Sequence, residues 1–484
     1  MADILVLGAG VSGHTAASFL RRWLGAEHSV TVISPRANYN WIPSNIWVGV
    51  GKMTMEQVRF PLAPVYKKAG IRFLQAKATQ IWPEGSAEHE RPFVEAEWTG
   101  TDRAGETERI AFDYVINATG PKLNFEATEG LGPEGHTVSV CSETHAVEAA
   151  DALEKCIVKM KQGQRQKIVI GTGHGMCTCQ GAAFEYIVNV EFLLRQRGVR
   201  DMADLVWISN EYELGDFGMG GIHLKRGGYV THSKVFTESL FAERGLDWIL
   251  RAHVSKVEEG IIHYETLDGN NHTLDFDFAM LIPPFSGVGL QAFDRGGSEI
   301  TEQVFAPNGF MKVDADYTPK PFEEWQGKDW PRHYKSQSFD NMYAVGIAFA
   351  PPHAISRPMQ STNGTPISPT PPRTGMPSAM IGKAVARTIT DLVKGKQEQP
   401  HSACMSEMGA ACVASAGASL WRGSAVSMTV YPVVPDFEKY PEHGRDIRHT
   451  FGEIGLAGHW IKHLLHVGFL YKAKLKPFWW IVPE

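Results

Sequence analysis

Asp3-Ile-Leu-Val-Leu-Gly-Ala-Gly-Val-Ser-Gly13 decides the fold. Its apolar opening reads as a buried strand that runs into Gly8-x-Gly10-x-x-Gly13. Ala16, Ala17, Phe19, Leu20, Trp23 and Leu24 then recur at helical spacing. Val30-Thr-Val-Ile-Ser34 supplies a second strand and completes a βαβ unit. Each glycine has its own task. Gly8 permits the tight turn, Gly10 lets backbone approach a pyrophosphate, and Gly13 lets helix pack on strand. The helix N-terminus, with its unpaired N–H groups, then faces the phosphates. A dinucleotide site is therefore expected here. Where an acidic residue commonly meets the ribose, the chain has Ser34, with Arg36 nearby. A hydroxyl also bonds a ribose.

The glycine pattern returns once. Ile168-Val-Ile170 leads into Gly171-Thr-Gly-His-Gly-Met-Cys-Thr-Cys179, followed by Gln180-Gly-Ala-Ala-Phe-Glu185. Gly171 and Gly173 are in place, but the third glycine position holds Met176, and two cysteines follow at once. A turn built to cradle a pyrophosphate carries thiols instead. Two further strands end in glycine turns: Phe112-Asp-Tyr-Val-Ile-Asn-Ala-Thr-Gly-Pro121 and Asn341-Met-Tyr-Ala-Val-Gly-Ile-Ala348. Such segments close the FAD domain of two-dinucleotide flavoproteins, and the chain resembles that superfamily. One departure is Gly346-Ile347, where Gly-Asp is usual. The resemblance implies FAD, held by Gly8, Gly10, Gly13, Ser34, Arg36, Ser44, Asn45, Ala118, Thr119, Gly120, Gly346 and Arg373.

The expected architecture is α/β, with two Rossmann-like, glutathione-reductase-like dinucleotide-binding domains and a C-terminal membrane-associating region. The FAD domain is discontinuous, over residues 1–144 and 283–395. The second Rossmann-like domain spans 145–282, framed by strands at 167–170, 205–209 and 278–282. Residues 396–484 form the C-terminal region. Residues 272–278, after the turn Asp268-Gly-Asn270, read as the return strand of a hairpin. Residues 319–339 and 351–372, rich in Pro and polar residues, read as surface connections without chemistry.

Bulk properties set outer limits. A chain of 484 residues, 43% hydrophobic and 21% charged, suits two or three globular domains. Its net charge of −6 gives no reason to expect nucleic acid. Six cysteines are too few and scattered for a disulfide framework, and no Cys/His spacing resembles a metal site. The chain lacks the charged-plus-apolar pattern of a signal segment and has no run of eighteen apolar residues.

Three cysteines stand in distinctive settings: Cys141 in Thr137-Val-Ser-Val-Cys-Ser-Glu-Thr-His145, Cys179 at the opening of a helix, and Cys404 in Ser402-Ala-Cys-Met-Ser-Glu-Met-Gly409. A helix N-terminus favours thiolate, which marks Cys179 as reactive. The cysteines resemble those of the sulfide:quinone oxidoreductases. So do Ile42-Pro-Ser-Asn-Ile-Trp-Val-Gly-Val-Gly51, Ala118-Thr-Gly-Pro-Lys-Leu123, Leu281-Ile-Pro-Pro-Phe-Ser-Gly287 and Arg373-Thr-Gly375. The resemblance implies a redox pair, Cys179 and Cys404, joined by a disulfide or sulfur bridge when oxidised. Sulfide attacks that bridge and leaves a persulfide. Electrons pass through FAD to a quinone, and the product is polysulfide or sulfur. Cys141 would release product or attach to the flavin. Glu185 and His145 match proton-handling residues of the family. A second family histidine is absent: Asp216 occupies its place, with His223 nearby. Cys177 is a small packed thiol or a sulfur relay; Cys156 and Cys412 are ordinary thiols.

At the C-terminal end, Leu456, Trp460, Leu464, Val467 and Tyr471 fall on one helix face, followed by Lys472, Lys474 and Lys476 and by Pro477-Phe-Trp-Trp-Ile-Val-Pro483. This suits a helix lying in a membrane interface, or one docked on the catalytic core. The resemblance favours attachment to the membrane surface, in a prokaryotic cell membrane, with Phe469 and Met405 lining the quinone pocket. A homo-oligomer is the expected assembly. Three alternatives compete: the flavin subunit of a sulfide-oxidising flavocytochrome c, a type II NADH:quinone dehydrogenase, and a non-enzymatic FAD scaffold or sulfide sensor. Met176 and Cys179 count against the second.

Overall fold

Each glycine-rich turn sits at the edge of its own parallel sheet. In the computed structural model, which describes residues 1–396, 399–417 and 421–484, strand β1 (Asp3–Leu7) enters helix α1 (Val11–Trp23). It pairs in parallel with β2 (Ser29–Ile33) on one side and β3 (Tyr114–Asn117) on the other. Arg72–Leu74 and Met342–Ala344 complete a five-stranded sheet at its two edges. Ile4 to Leu7 are almost fully buried, as a central parallel strand covered on both faces must be.

The second sheet is smaller. Strand β4 (Gln166–Thr172) enters helix α2 (Gln180–Gln196) and lies between β5 (Ala203–Ile208) and β6 (Phe278–Ile282), with Leu246–Ile249 at the edge. The expected strand over residues 272–278 is two structures. Asn271–Asp275 is the third strand of an antiparallel meander with Ala252–Glu258 and Ile261–Thr266, and Phe278 begins β6 in a different sheet. Asp277 makes the break: its carboxylate accepts the Lys167 backbone N–H at 2.8 Å, fixing the entry of β6 beside β4.

Helix α3 (Gly375–Val393) crosses α1 closely. A Cβ at Gly382 would lie 2.5 Å from the Ser12 carbonyl, so only glycine fits this crossing. Residues of the 396–484 segment pack in both cores. Met405, Val433, Leu470 and Trp479 join the core of the first sheet, whereas Ala414, Val426 and Met428 join that of the second. A five-stranded sheet ties this segment to the second unit, because Phe451–Gly455 pairs in parallel with His223–Arg226.

Two expectations from composition fail. Residues 319–339 bury Trp330 and Tyr334 almost completely, and residues 351–372 bury Ile355, Ser356, Ser361, Ile367 and Ser368. Neither is a surface connection. Pro-, Ser- and Thr-rich composition marks the lack of regular structure, but these segments satisfy their backbone against the fold.

Helix α4 (Leu456–Ala473) is amphipathic in an inverted sense. It buries His459, Lys462, His466 and Lys472, while Leu464 is 71% and Val467 63% exposed. Trp460 and Tyr471 are exposed on the same outer stripe. Lys474 and Lys476 are exposed, but Lys472 is buried against Glu484 at 2.7 Å. Among the described residues no helix is long and apolar enough to cross a membrane.

Candidate active site

The first turn is an open cradle. A Cβ at Gly8 would lie 2.1 Å from the Ala118 carbonyl, and one at Gly13 would lie 2.2 Å from the Gly8 carbonyl. Gly10 faces open space with nothing within 4 Å, and as N-cap of α1 it leaves the first N–H groups without a side-chain cap. That is the arrangement a pyrophosphate requires. Asn117 Oδ1 accepts the Thr119 backbone N–H and hydroxyl at 3.2 and 2.8 Å, which shapes the Ala118-Thr119-Gly120 turn alongside. Gly346, at φ +66°, sits against Ser12. At the far end, α3 begins at Thr374, whose buried hydroxyl has no partner, and this helix start is also uncapped. An open phosphate cradle and an orphaned hydroxyl at a second helix start fit FAD.

Two expected cofactor contacts lie elsewhere. Ser44 Oγ stands 2.8 Å from His466 Nδ1, and Asn45 pairs with Asn40; both are fully buried. The Ser44 contact fixes α4 against the entry of the domain. Ser34 Oγ bonds within its own turn to Arg36 at 3.3 Å, and Arg36 itself is exposed.

The second turn is filled. Asn210 donates to the Gly175 and Cys177 carbonyls at 2.9 and 3.2 Å, and Gln180 donates to Cys177 at 3.1 Å. Ser209 follows β5 as Ser34 follows β2, and Glu211 stands three residues past the end of β5. Glu211 is fully buried, bonded to Ser209 and the Phe217 N–H, and burial raises its carboxyl to about 8.

Cys179 is the N-cap of α2 and adopts φ +65°, ψ 30°. A left-handed non-glycine residue costs on the order of 1–3 kcal/mol and persists only where its surroundings hold it. Cys141 and Cys177 lie within electrostatic reach of it, so three thiols share this corner. The helix start was expected to lower the Cys179 thiol. Burial wins and, with Cys141 nearby, raises it to about 11, although Arg373 pulls downward through its guanidinium and its backbone N–H. Arg373 is itself lowered to about 10 by burial, and its guanidinium packs over Phe310 and Phe349. Cys177 is a packed thiol: it is fully buried and donates to the Ile282 carbonyl at 3.0 Å.

Cys404 belongs to a neighbouring cluster. Its sulfur is 3.0 Å from Ser406 Oγ, within reach of the Arg332 charge and of Tyr334, and burial raises the thiol. All six cysteines are free thiols. One cavity connects the two clusters, since Arg373, beside Cys179, and Met405, next to Cys404, both line it together with Gly346 and Thr374. Phe469 lines a second cavity, stacked on Trp41 at 4.8 Å and accompanied by Tyr39, Trp479, His14 and Lys472. The two residues expected to share a quinone pocket therefore line different cavities.

The expected proton-handling groups are dispersed. Glu185 accepts from Lys462 Nζ at 3.1 Å and from the Ser415 N–H at 3.0 Å; burial raises its carboxyl even so. It ties α2 to α4. His145 packs edge-on against Phe125, and its buried Nδ1 has no hydrogen-bond partner. Burial lowers its pKa. Asp216 accepts from Ser356 Oγ and from the Gly218 N–H, near the Arg445 charge. His223 stacks on His443 away from these contacts. Sequence reasoning missed Thr178, Lys462 and Thr374. Thr178 and Thr374 lie inside the quoted motifs and Lys462 inside the C-terminal helix, but only their three-dimensional surroundings single them out.

Residues 2–201 match the family model described as pyridine nucleotide-disulphide oxidoreductase. The sulfide-quinone reductase of Aquifex aeolicus (strain VF5) is 28% identical over 471 residues, 97% of this chain and 91% of that protein. The mitochondrial sulfide:quinone oxidoreductase of Mus musculus is 25% identical over 206 residues, 42% of this chain and 41% of that protein. The X-ray structure of the Aquifex aeolicus sulfide:quinone oxidoreductase superposes with a TM-score of 0.75 at 26% identity, covering 98% of this chain and 92% of that one. NDH2 from Plasmodium falciparum, in complex with NADH, shares the fold alone, at TM-score 0.62 and 13% identity over 99% of this chain and 97% of that one. The chain is an FAD-binding flavoprotein that is similar to sulfide:quinone oxidoreductases over almost its whole length.

Proposed function

We propose that this protein oxidises sulfide to polysulfide or sulfur with Cys179 and Cys404 as its redox pair, and delivers the electrons to a membrane quinone. One observation carries the reading. The second dinucleotide turn presents a strained, half-buried thiol beside a buried arginine, and that arginine lines the same cavity as Met405, the neighbour of Cys404 in sequence.

In the oxidised pair a hydrosulfide ion attacks one sulfur of the bridge. A new S–S bond forms, the old one breaks, and the products are a persulfide on one cysteine and a thiolate on the other. When the thiolate is Cys179, the Arg373 guanidinium and N–H favour it and offset part of the burial that raises the thiol. Bound FAD supplies a two-electron acceptor for the thiol pair and a two-electron donor for the quinone. Cys141, within reach of Cys179, is placed to take over sulfur and release product. His145 holds an unpaired buried nitrogen that suits it to carry a proton. Trp41 and Phe469 form a stacked aromatic wall for a planar quinone ring, with Lys472 at the polar end of that cavity. The exposed stripe of α4, with Lys474 and Lys476 beside it, supports attachment to the membrane surface.

Anaerobic titration tests the reading. Sulfide should bleach the flavin absorbance, and decylubiquinone should restore it. Faster bleaching by NADH would replace this reading with that of an NADH:quinone dehydrogenase.

A further inference from the structure

The thiol turn is laced to the end of the 351–372 segment residue by residue. Thr370 N–H donates to the Cys177 carbonyl at 3.0 Å, Thr178 Oγ1 donates to the Pro371 carbonyl at 2.9 Å, and the Arg373 N–H reaches the Cys179 sulfur. Three consecutive residues, 177–179, are thus each held from 370–373. Upstream, the Ser368 N–H donates to the Gly175 carbonyl at 2.7 Å. The far part of the segment has its own anchors. Ser356 Oγ bonds Asp216 and accepts the Gly220 N–H, while Ser361 and Thr365 bond Glu265. The glycines record how closely the segment lies. A Cβ at Gly175 would be 2.2 Å from the Pro366 carbonyl, and one at Gly218 would be 2.7 Å from the Thr370 carbonyl. The glycine position that approaches a pyrophosphate is Gly173, and Gly175 lies two residues on in the same turn.

We propose that residues 351–373 form a positioning strap: it fills the space of the second dinucleotide, and through Thr178 and residues 370–373 it holds Cys179 left-handed with its sulfur against Arg373. The inference rests on the reading of Cys179 as the sulfide-reactive thiol. A non-glycine residue at positive φ relaxes toward the right-handed region unless its neighbours prevent it. Here α2 constrains the C-terminal side of Cys179, and the strap constrains the N-terminal side. The Thr178 side chain also lies within hydrogen-bond reach of the Cys179 sulfur and favours its thiolate. It is a positioning residue that acts through Cys179.

The test uses the FAD-loaded full-length protein and iodoacetamide, with modification of Cys179 followed by peptide mass spectrometry from about pH 7 to 11. Thr178→Val keeps the shape and removes the donor; Thr178→Ser keeps the donor. Thr365→Val cuts a far anchor and leaves the turn's own bonds intact. In T178V alkylation of Cys179 at a given pH in this range should slow by about threefold, because the thiolate loses the Thr178 hydroxyl and the sulfur drifts from Arg373. Anaerobic flavin bleaching by sulfide should slow by about tenfold. T178S and T365V should match the parent on both. The strap is overturned if T178V matches the parent, or if T178S or T365V shifts as far as T178V. If T178V does not load FAD, Thr178→Ala takes its place in the same comparison. If the parent protein itself is not bleached by sulfide while T178V and T178S still separate in alkylation, the functional reading fails and the strap stands.

Discussion

The two glycine-rich turns begin alike and end in opposite states. At the first, Gly10 looks into open space and the helix start is free. At the second, a Cβ at Gly173 would meet the Leu131 side chain, Gly175 is pressed by a carbonyl of the chain itself, and nearby Glu211 is buried and internally bonded. A dinucleotide turn is therefore not defined by its glycines alone. They permit close approach, and another segment of the same chain can occupy the approach they permit.

The largest effect should come from the thiols that the filled turn serves. Cys179→Ala and Cys404→Ala are each expected to lower sulfide-dependent quinone reduction by about a thousandfold or more, with FAD still bound. Full activity in either would remove the redox pair from this site. The same substitution placed in both turns sharpens the contrast. Gly13→Val drives a side chain into the Gly8 carbonyl and should yield protein without flavin absorbance. Gly175→Val drives one into the Pro366 carbonyl and should keep FAD while losing sulfide oxidation. Loss of flavin in both would mean the turns are equivalent. At equal concentrations NADH should bleach the flavin more slowly than sulfide by about a hundredfold, measured by anaerobic stopped flow.

Smaller effects probe the surfaces around the turns. Leu464→Asp with Val467→Asp alters only the outer stripe of α4 and should cut co-sedimentation with liposomes by about tenfold at unchanged melting temperature. Truncation at residue 455 is a poorer test, because it removes the Lys462–Glu185 pair and unfolds the core around α2. The smallest effect is on acid stability. Burial lowers His14, His174 and His466 from their ordinary 6.5 to about 4. Unfolded histidines take up protons below about 6.5 and these folded ones do not, so stability is full above that pH and is lost as pH falls toward 4. His466→Gln should flatten part of that slope in thermal melts between pH 6.5 and 4.

Much of this was legible in the sequence. The first βαβ unit, the inserted parallel sheet and the converted second turn follow from glycine spacing and strand periodicity. The apolar stripe of α4 was also visible, though its meaning was reversible until the buried histidines and Lys462 located the protein side. Residues 319–339 and 351–372 were misread because composition reports the absence of helix and strand, not the absence of packing. The side-chain roles of Ser44, Asn45, Glu185 and Asp216 were hidden for a related reason. Their partners, His466, Asn40, Lys462 and Ser356, include residues hundreds of positions away, and no local pattern encodes such pairs.

Helix α4 turns its charges inward and its leucine and valine outward, and this separates two properties that amphipathic anchors normally couple. Its attachment to the fold runs through polar contacts with Ser44 and Glu185 and through the buried Leu470, whereas Leu464 and Val467, on the outer stripe, are exposed. That stripe can be rewritten with charged residues to make a detergent-free form for crystallisation or spectroscopy. Rewriting the buried face would dismantle the domain, whatever lipid was supplied.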